Sequence, residues 1–189
     1  NDGARVGGGD TLALLSNANY IVISPRWDNG VTANVGAVTW GNGATGIAGP
    51  VTTVNSLHGS TLNDQVGSGE ITERVSRLSN GNYVIASPLW NNGATADVGA
   101  ATWGNGASGI TGPVTPGNSL IGAAANDQVG ARQASKGTAI VALSDGNYTV
   151  LSFRWNGLRG AVTWGDGAAG TTGIVSAANS LVGTNPGDL

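Results

Sequence analysis

Short apolar runs, separated by glycine-rich turns, recur along the whole chain. In the run over 20–23, Tyr20 and Val22 face one way while Ile21 and Ile23 face the other. A strand that is apolar on both sides is covered on both sides. No segment has the sustained periodicity of an amphipathic helix. The pattern therefore predicts an all-β fold whose central strands are buried between layers.

The same order of landmarks returns three times along the sequence. Three tyrosines are 63 and 65 residues apart, and three tryptophans are 63 and 61 apart: Tyr20, Tyr83 and Tyr148, and Trp40, Trp103 and Trp164. A unit that cannot bury its own apolar faces must stack on a neighbouring copy. We expect one repeat array over 1–189, with units of about 1–62, 63–125 and 126–189. Both chain ends fall at the same phase of the repeat, which predicts a piece of a longer array or a minimal unit that self-assembles.

Turn residues divide each unit into strands. In the middle unit, Asn80-Gly81 separates two β-type runs, and this dipeptide favours a tight primed hairpin turn. The first unit has Asn17-Ala18 there, and because alanine resists a positive φ, we expect either another turn type or mild strain. A third run ends at the tryptophan of the repeat. A fourth run contains Pro50 or Pro113, with Ile174 in the third unit, and proline belongs at a sheet edge.

These runs predict three tandem four-stranded antiparallel blade-like repeats, as in a β-propeller. Propellers usually have about four to eight blades, so the array would be partial or completed by oligomerisation, for instance as a six-bladed ring of two chains. A three-sheet β-prism-like monomer is the alternative. An extended parallel solenoid is disfavoured because its rungs are much shorter than this period.

Several short motifs resemble a known repeat. They are Val66-Gly67, Leu78 to Ile85, Ser87-Pro88, Gly99-Ala100, and Asn118 to Gly122 before Asp127. Their order resembles the FG-GAP repeat of integrin-α-type β-propellers, although valine replaces the opening phenylalanine and Ser152-Phe153 departs from the Ala-Pro position. The amino-acid sequence of the repeats is also similar to repeats of large secreted bacterial haemagglutinin-like surface proteins. The resemblance implies adhesion and a location outside the cell or on the bacterial surface.

Composition narrows the function classes. The formal net charge is −3, only 10% of residues are charged, and Lys136 is the sole lysine, so we expect no nucleic-acid partner. The chain has no cysteine, and no run reaches the roughly 20 apolar residues of a membrane helix, so we expect no membrane span. The FG-GAP resemblance implies a calcium-binding loop in the hairpin. The matching loops hold at most one carboxylate, however, whereas Ca²⁺ takes about six to eight oxygens. We expect no metal and no cofactor.

Other motifs have structural explanations. Residues 41–46, 104–109 and 165–170 match G-x-G-x-x-G, yet each continues toward another strand rather than opening a helix, which predicts turns instead of a nucleotide site. His58 is the only histidine and has aliphatic counterparts in the other units, so we expect a packing role. Asp64 with Glu70 or Glu73 would be a conceivable glycosidase pair, but the low charge density argues against an acid/base pocket.

The six tryptophans form two repeated columns, one following the second strand and one ending the third. Burial of one indole removes ~150–250 Å² from water, which stabilises by about 4–6 kcal/mol before entropy losses. The first column is inter-unit core or, alternatively, a sugar-binding plate beside polar groups. The candidate ligand residues are Trp27, Asp28, Asn29, Trp90, Asn91, Asn92, Trp155 and Asn156.

Two functions remain open. The first is a non-enzymatic adhesion or structural module of a secreted bacterial surface protein. The second is a carbohydrate-binding propeller with up to three quasi-equivalent sites. A hydrolase is disfavoured because catalytic groups are rarely triplicated. The expected partners are glycans or a cell-surface or matrix protein, together with further copies of the chain or neighbouring repeats of a longer parent chain.

Overall fold

The computed structural model describes residues 12–69, 74–131 and 138–188 and consists of three β-sheets, one for each repeat unit. The first unit contains β1 (Leu12–Leu14), β2 (Tyr20–Ser24), β3 (Ala37–Gly41) and β4 (Ser56–His58). The second contains β5 (Val75–Arg77), β6 (Tyr83–Ser87), β7 (Ala100–Gly104), β8 (Gly112–Pro113) and β9 (Ser119–Ile121). The third contains β10 (Ile140–Ala142), β11 (Tyr148–Leu151), the single helical turn α1 (Trp155–Leu158), β12 (Ala161–Gly165), β13 (Gly173–Ile174) and β14 (Ser180–Val182). The prediction of an all-β chain with three tandem units is confirmed.

Each unit builds the same antiparallel meander. In the first unit β1, β2, β3 and β4 pair in chain order, and Tyr20 of β2 lies opposite Gly41 of β3. A Cβ on Gly41 would lie 2.3 Å from a ring carbon of Tyr20, so the phenol ring covers the bare backbone of the glycine. This cross-strand pair explains why a glycine follows the tryptophan in each repeat.

The sheets stack face to face. We call one side of each sheet the forward face, on which the first unit places Ile21, Ile23, Val38, Trp40 and Leu57. The opposite side is the rear face, which includes Tyr20, Val22 and Thr39. Forward residues of the first unit share one buried cluster with rear residues of the second, including Tyr83, Ile85 and Val114. A second cluster joins Val84, Ala86, Ala101 and Leu120 of the second unit to Tyr148, Val150 and Val175 of the third. The central strands of the second unit are therefore covered on both faces, as predicted.

The run that contains the proline is not the fourth strand of its own unit, which corrects the assignment made from sequence. The fourth strand is β4, β9 or β14 instead. The strand β8 pairs in parallel with β4 of the preceding unit, and β13 pairs in the same way with β9. The first two sheets therefore have five strands, and each contains one strand donated by the next unit. The edge position predicted for Pro113 is confirmed, because β8 is the outermost strand of its sheet.

Local turns account for the remaining differences between units. Ala18 has φ +68° in the first hairpin turn, so the strain predicted there is present. In the third unit the shortened loop after Trp155 contains Asn156 at φ +50° and Gly157 at φ +69°.

Across the described ranges, we find no helix that has the length and apolar character needed to cross a membrane.

Candidate functional site: the joints between units

Three side-chain donors of one unit converge on one backbone carbonyl of the next. The Gly106 carbonyl oxygen accepts from Asn17 Nδ2 at 2.8 Å, Asn19 Nδ2 at 2.9 Å and Trp40 Nε1 at 3.0 Å. The second joint repeats this arrangement on the Gly167 carbonyl, with donors Asn80 at 2.8 Å, Asn82 at 2.9 Å and Trp103 at 3.0 Å. Trp40 and Trp103 of the second tryptophan column therefore connect adjacent units through the indole N–H.

In the first two units, the asparagine before the repeat tyrosine links its own unit to the following one. Its Oδ1 accepts a glycine N–H within the unit, and its Nδ2 donates to a glycine carbonyl in the next. We call the resulting chain of hydrogen bonds the amide ladder. Its links are Gly43 N to Asn19 Oδ1 (2.9 Å), Asn19 Nδ2 to Gly106 O (2.9 Å), Gly106 N to Asn82 Oδ1 (3.0 Å), Asn82 Nδ2 to Gly167 O (2.9 Å) and Gly167 N to Asn147 Oδ1 (3.0 Å). Hydrogen bonds in such a chain polarise one another, which strengthens the connection along the stack.

The glycines of the ladder are required by close backbone approach. A Cβ on Gly106 would lie 1.8 Å from the Gly81 carbonyl oxygen, and a Cβ on Gly167 would lie 1.6 Å from the Gly146 oxygen. Each is the second glycine of a G-x-G-x-x-G match, and it fits against the hairpin turn of its own unit. Asn42 Oδ1 also accepts the Ala44 N–H at 2.8 Å, as in an Asx turn. The glycine motifs therefore form turns.

A buried aspartate forms a second connection at each joint. Asp64 is 0% exposed, and its Oδ2 accepts the Ser60 and Thr61 N–H groups at 2.7 Å. Asp64 follows β4 of the first sheet, and its Oδ1 accepts the N–H of Asn91, which follows β6 of the second sheet, at 3.1 Å. Asp127 bonds to the Asn156 N–H at 3.0 Å in the same manner. Asp64 therefore has a structural role, while Glu70 and Glu73, with which it would form the conceivable but disfavoured glycosidase pair, lie outside the described residues.

The predicted ligand tryptophans contribute mainly to the core. Trp90 is 3% exposed and Trp155 is 8% exposed, and each belongs to a buried inter-unit cluster. Trp27 is half-buried and meets the His58 ring edge-on at a centroid distance of 6.5 Å. His58 itself is 8% exposed, with Nδ1 2.7 Å from the Gly59 carbonyl oxygen, which agrees with the predicted packing role.

The predicted polar ligand residues divide into two groups. Asp28 and Asn91 shape their own loops, since their Oδ1 atoms accept the Asn34 N–H at 2.7 Å and the Asp97 N–H at 2.8 Å. Asn29, Asn92 and Asn156 are exposed, so their amides face solvent. The structure thus brings the eight candidates to equivalent turns, but it leaves mainly these three amides accessible.

Buried phenols complete the joints. The hydroxyl of Tyr83 accepts the Ile110 N–H, and burial raises the pKa of Tyr83 well above its usual range. Burial raises the pKa of Tyr148 in the same way, and its hydroxyl accepts the Thr171 N–H at 3.2 Å. The two hydroxyls therefore remain protonated and uncharged where the rings contact the neighbouring unit.

Sequence reasoning missed the amide donors of the joints, namely Asn17, Asn19, Asn80 and Asn82. The available signal was their recurrence one and three residues before the tyrosine of the first two units. Within the described ranges, no group of three or more His, Asp or Glu side chains is placed to hold a metal ion.

A family model described as "Repeat of unknown function (DUF5650)" matches the chain three times, over residues 14–68, 77–131 and 142–189. The three matches correspond to the three sheets, so the predicted tandem repeat is confirmed. The finer resemblance to FG-GAP repeats stays a prediction. A search of curated proteins finds no match.

Proposed function

The chain belongs to this repeat family, and from that premise we propose that it is a non-enzymatic structural module through which a secreted bacterial surface protein mediates adhesion. The observation that supports this most directly is the use of the recurrent side chains. The repeated asparagine, aspartate and tryptophan side chains bond or pack one unit against the next. A module selected for stacking is expected to keep these residues in every copy.

The FG-GAP resemblance extends this proposal to the larger assembly. Meander sheets that stack face to face have the character of propeller blades, and the exchange of β8 and β13 ties adjacent sheets together. In our proposal these units present exposed loops along a rigid array at the cell surface. The proposed partners are cell-surface or matrix proteins.

Adhesion can be tested with beads that carry the purified chain, measured for retention on matrix-coated or cell-coated surfaces under flow. We expect retention by the wild-type chain and reduced retention by Trp103→Ala, which loosens the second joint. The matched control is Thr111→Ala, since this side chain is exposed and lies outside the joints and the candidate ligand residues. Absence of retention of wild-type beads on every surface tested would contradict the adhesive role.

Glycan binding is the second candidate, because three exposed amides recur beside the first tryptophan column. A glycan array tests it directly. The triple variant Asn29→Ala, Asn92→Ala, Asn156→Gly should lose saturable binding while keeping its fold, since all three side chains are exposed and glycine tolerates the φ of +50° at position 156. Thr111→Ala, an exposed change in another loop, serves as the control. An array without any wild-type signal would eliminate this candidate.

A further inference from the structure

The forward face of the third unit remains apolar and exposed. Leu181 is 72% exposed, whereas its counterparts Leu57 and Leu120 are 0% exposed beneath the following unit. Trp164 is 53% exposed, and Leu151 and Val162 of the same face are only half-buried. Terminal capping repeats of solenoid proteins carry polar outer faces. This face lacks that feature and retains the character of an inter-unit surface.

The rear face of the first unit is exposed in the complementary way. Leu12 is 59% exposed, Leu14 is 62% exposed and Ile47 is 41% exposed. Tyr20 is half-buried, whereas its counterpart Tyr83 is 1% exposed beneath the preceding unit. A groove of about 200 Å³ runs over this face, and its lining includes Tyr20, Ile47 and Val51.

The first unit also holds a strand-donating segment in its paired conformation. This donor segment is residues 49–51, which correspond to β8 and β13 of the later units. Gly49 has φ +100°, close to +91° for Gly112 and +97° for Gly173. Asn55 Nδ2 donates to the Pro50 carbonyl at 3.0 Å, as Asn118 does to Pro113 at 2.9 Å in the second unit. The donor segment is therefore shaped for pairing before it meets another sheet.

We infer that the forward face of the third unit binds the rear face of the first unit in a second copy of this chain, with the donor segment adding to β14. This inference deepens the proposed function, on which it rests, by naming the partner of the array. By continuity with the two internal joints, Leu181 would lie opposite Gly49 and Val182 opposite Pro50. Trp164 Nε1 and Asn147 Nδ2 would donate to the Gly43 carbonyl of the partner copy. Such a head-to-tail contact produces a closed ring or an open filament.

One substitution distinguishes this joint from the internal ones. Asp145 stands where the other units have Asn17 and Asn80, and a carboxylate cannot donate to the glycine carbonyl. Asn147 Nδ2 instead donates to Asp145 Oδ2 at 2.9 Å. The intermolecular joint therefore lacks one donor and places a negative charge near an acceptor. Asp145→Asn should restore the donor and tighten self-association by about tenfold.

Analytical ultracentrifugation of the complete chain over a wide concentration range tests the inference. We expect concentration-dependent association of the wild type, and stronger association of Asp145→Asn. Leu181→Asp blocks the forward face and Val51→Asp blocks the rear face, so each variant alone should be monomeric. An equimolar mixture of the two should form dimers, because each supplies the face that the other lacks. Circular dichroism verifies that both variants fold, which the exposed and half-buried positions of these residues favour.

A wild-type chain that stays monomeric at every concentration overturns the inference. A mixture of the two blocked variants that remains monomeric also overturns it. So does a Val51→Asp variant that still forms dimers, because its dimer would join two forward faces. Adhesion is scored separately on beads. A monomeric chain that still adheres would reject the head-to-tail joint alone, and an associating chain that does not adhere would reject the adhesive role alone.

Discussion

At the scale of single residues, the joints depend on backbone glycines and the amides that reach them. The Gly106 carbonyl accepts from side chains 89, 87 and 66 positions earlier in the chain. Three charge-neutral donors saturate this oxygen, so little capacity remains for a ligand. The hairpin turn at Gly81 leaves no space for a side chain at position 106. The surroundings of Gly106 thus account for two repeated features of the sequence, the asparagines that donate to its carbonyl and the glycine itself.

Replacement of Gly106 by alanine tests this requirement. The new Cβ would lie 1.8 Å from the Gly81 carbonyl oxygen, and because that atom belongs to the backbone, the hairpin itself must move. We expect a loss of about 3 kcal/mol or more in the free energy of unfolding, measured by urea denaturation. Gly117→Ala is the matched control, since its nearest neighbour is Thr115 Oγ1 at 3.7 Å and neither glycine has a positive φ. That change should stay within about 0.5 kcal/mol, and equal effects would contradict the steric argument.

The buried phenols predict a loss of stability in alkali. Because burial raises the pKa of Tyr83 above the ordinary value of 10.0, the folded chain keeps this proton where the unfolded chain releases it. The free energy of unfolding should be constant below about pH 10 on this account and fall as the pH rises further. Tyr83→Phe should flatten that fall while costing about 1 kcal/mol at neutral pH through the unpaired Ile110 N–H. Denaturation curves on both sides of pH 10 measure both effects, and an unchanged alkaline slope would refute the assignment.

At the scale of elements, the sequence predicts what is local and misses what crosses between units. Alternating apolar residues identified β2 and its counterparts, and Pro113 correctly indicated a sheet edge. Nothing in a two-residue strand such as Gly112–Pro113 specifies which sheet it joins. Its pairing with β4 of the preceding unit is therefore visible only in the structure. The burial of Trp90 agrees with the core alternative for the first tryptophan column, although this residue lies in a turn after the strand and outside the alternating pattern.

The first hairpin turn offers a prediction at this scale. Ala18 has φ +68°, where its counterparts Gly81 and Gly146 have +89° and +91°. A Cβ disfavours this conformation, so Ala18→Gly should stabilise the chain by about 1 kcal/mol in thermal or urea unfolding. Gly81→Ala is the reverse change at the equivalent position and should destabilise by a similar amount or more. A loss of stability in Ala18→Gly would show that strain at this φ is negligible.

At the scale of the whole molecule, stability is divided between sheets and joints. Each sheet contacts only its sequence neighbours through the described clusters, with the second unit buried on both sides and each outer unit on one. In such an array the total stability is approximately the sum of unit terms and nearest-neighbour interface terms. Loss of one joint therefore separates the array into parts that unfold independently, while each unit keeps the four-stranded meander formed by its own strands.

The equivalent tryptophans Trp103 and Trp164 test that division within one chain. Trp103 is half-buried and donates to Gly167 across the second joint, whereas Trp164 is 53% exposed. Trp103→Ala should approach the about 3–5 kcal/mol cost of deleting a buried aromatic ring and uncouple the third unit, so that hydrogen exchange in β10 to β12 becomes faster than in β2 and β3. Trp164→Ala, measured at high dilution to avoid self-association, should change stability by about 0.5 kcal/mol or less and leave exchange uniform. Single-step unfolding of the Trp103 variant, with equal exchange in all units, would mean that the chain is one cooperative body and that its joints are not separable terms.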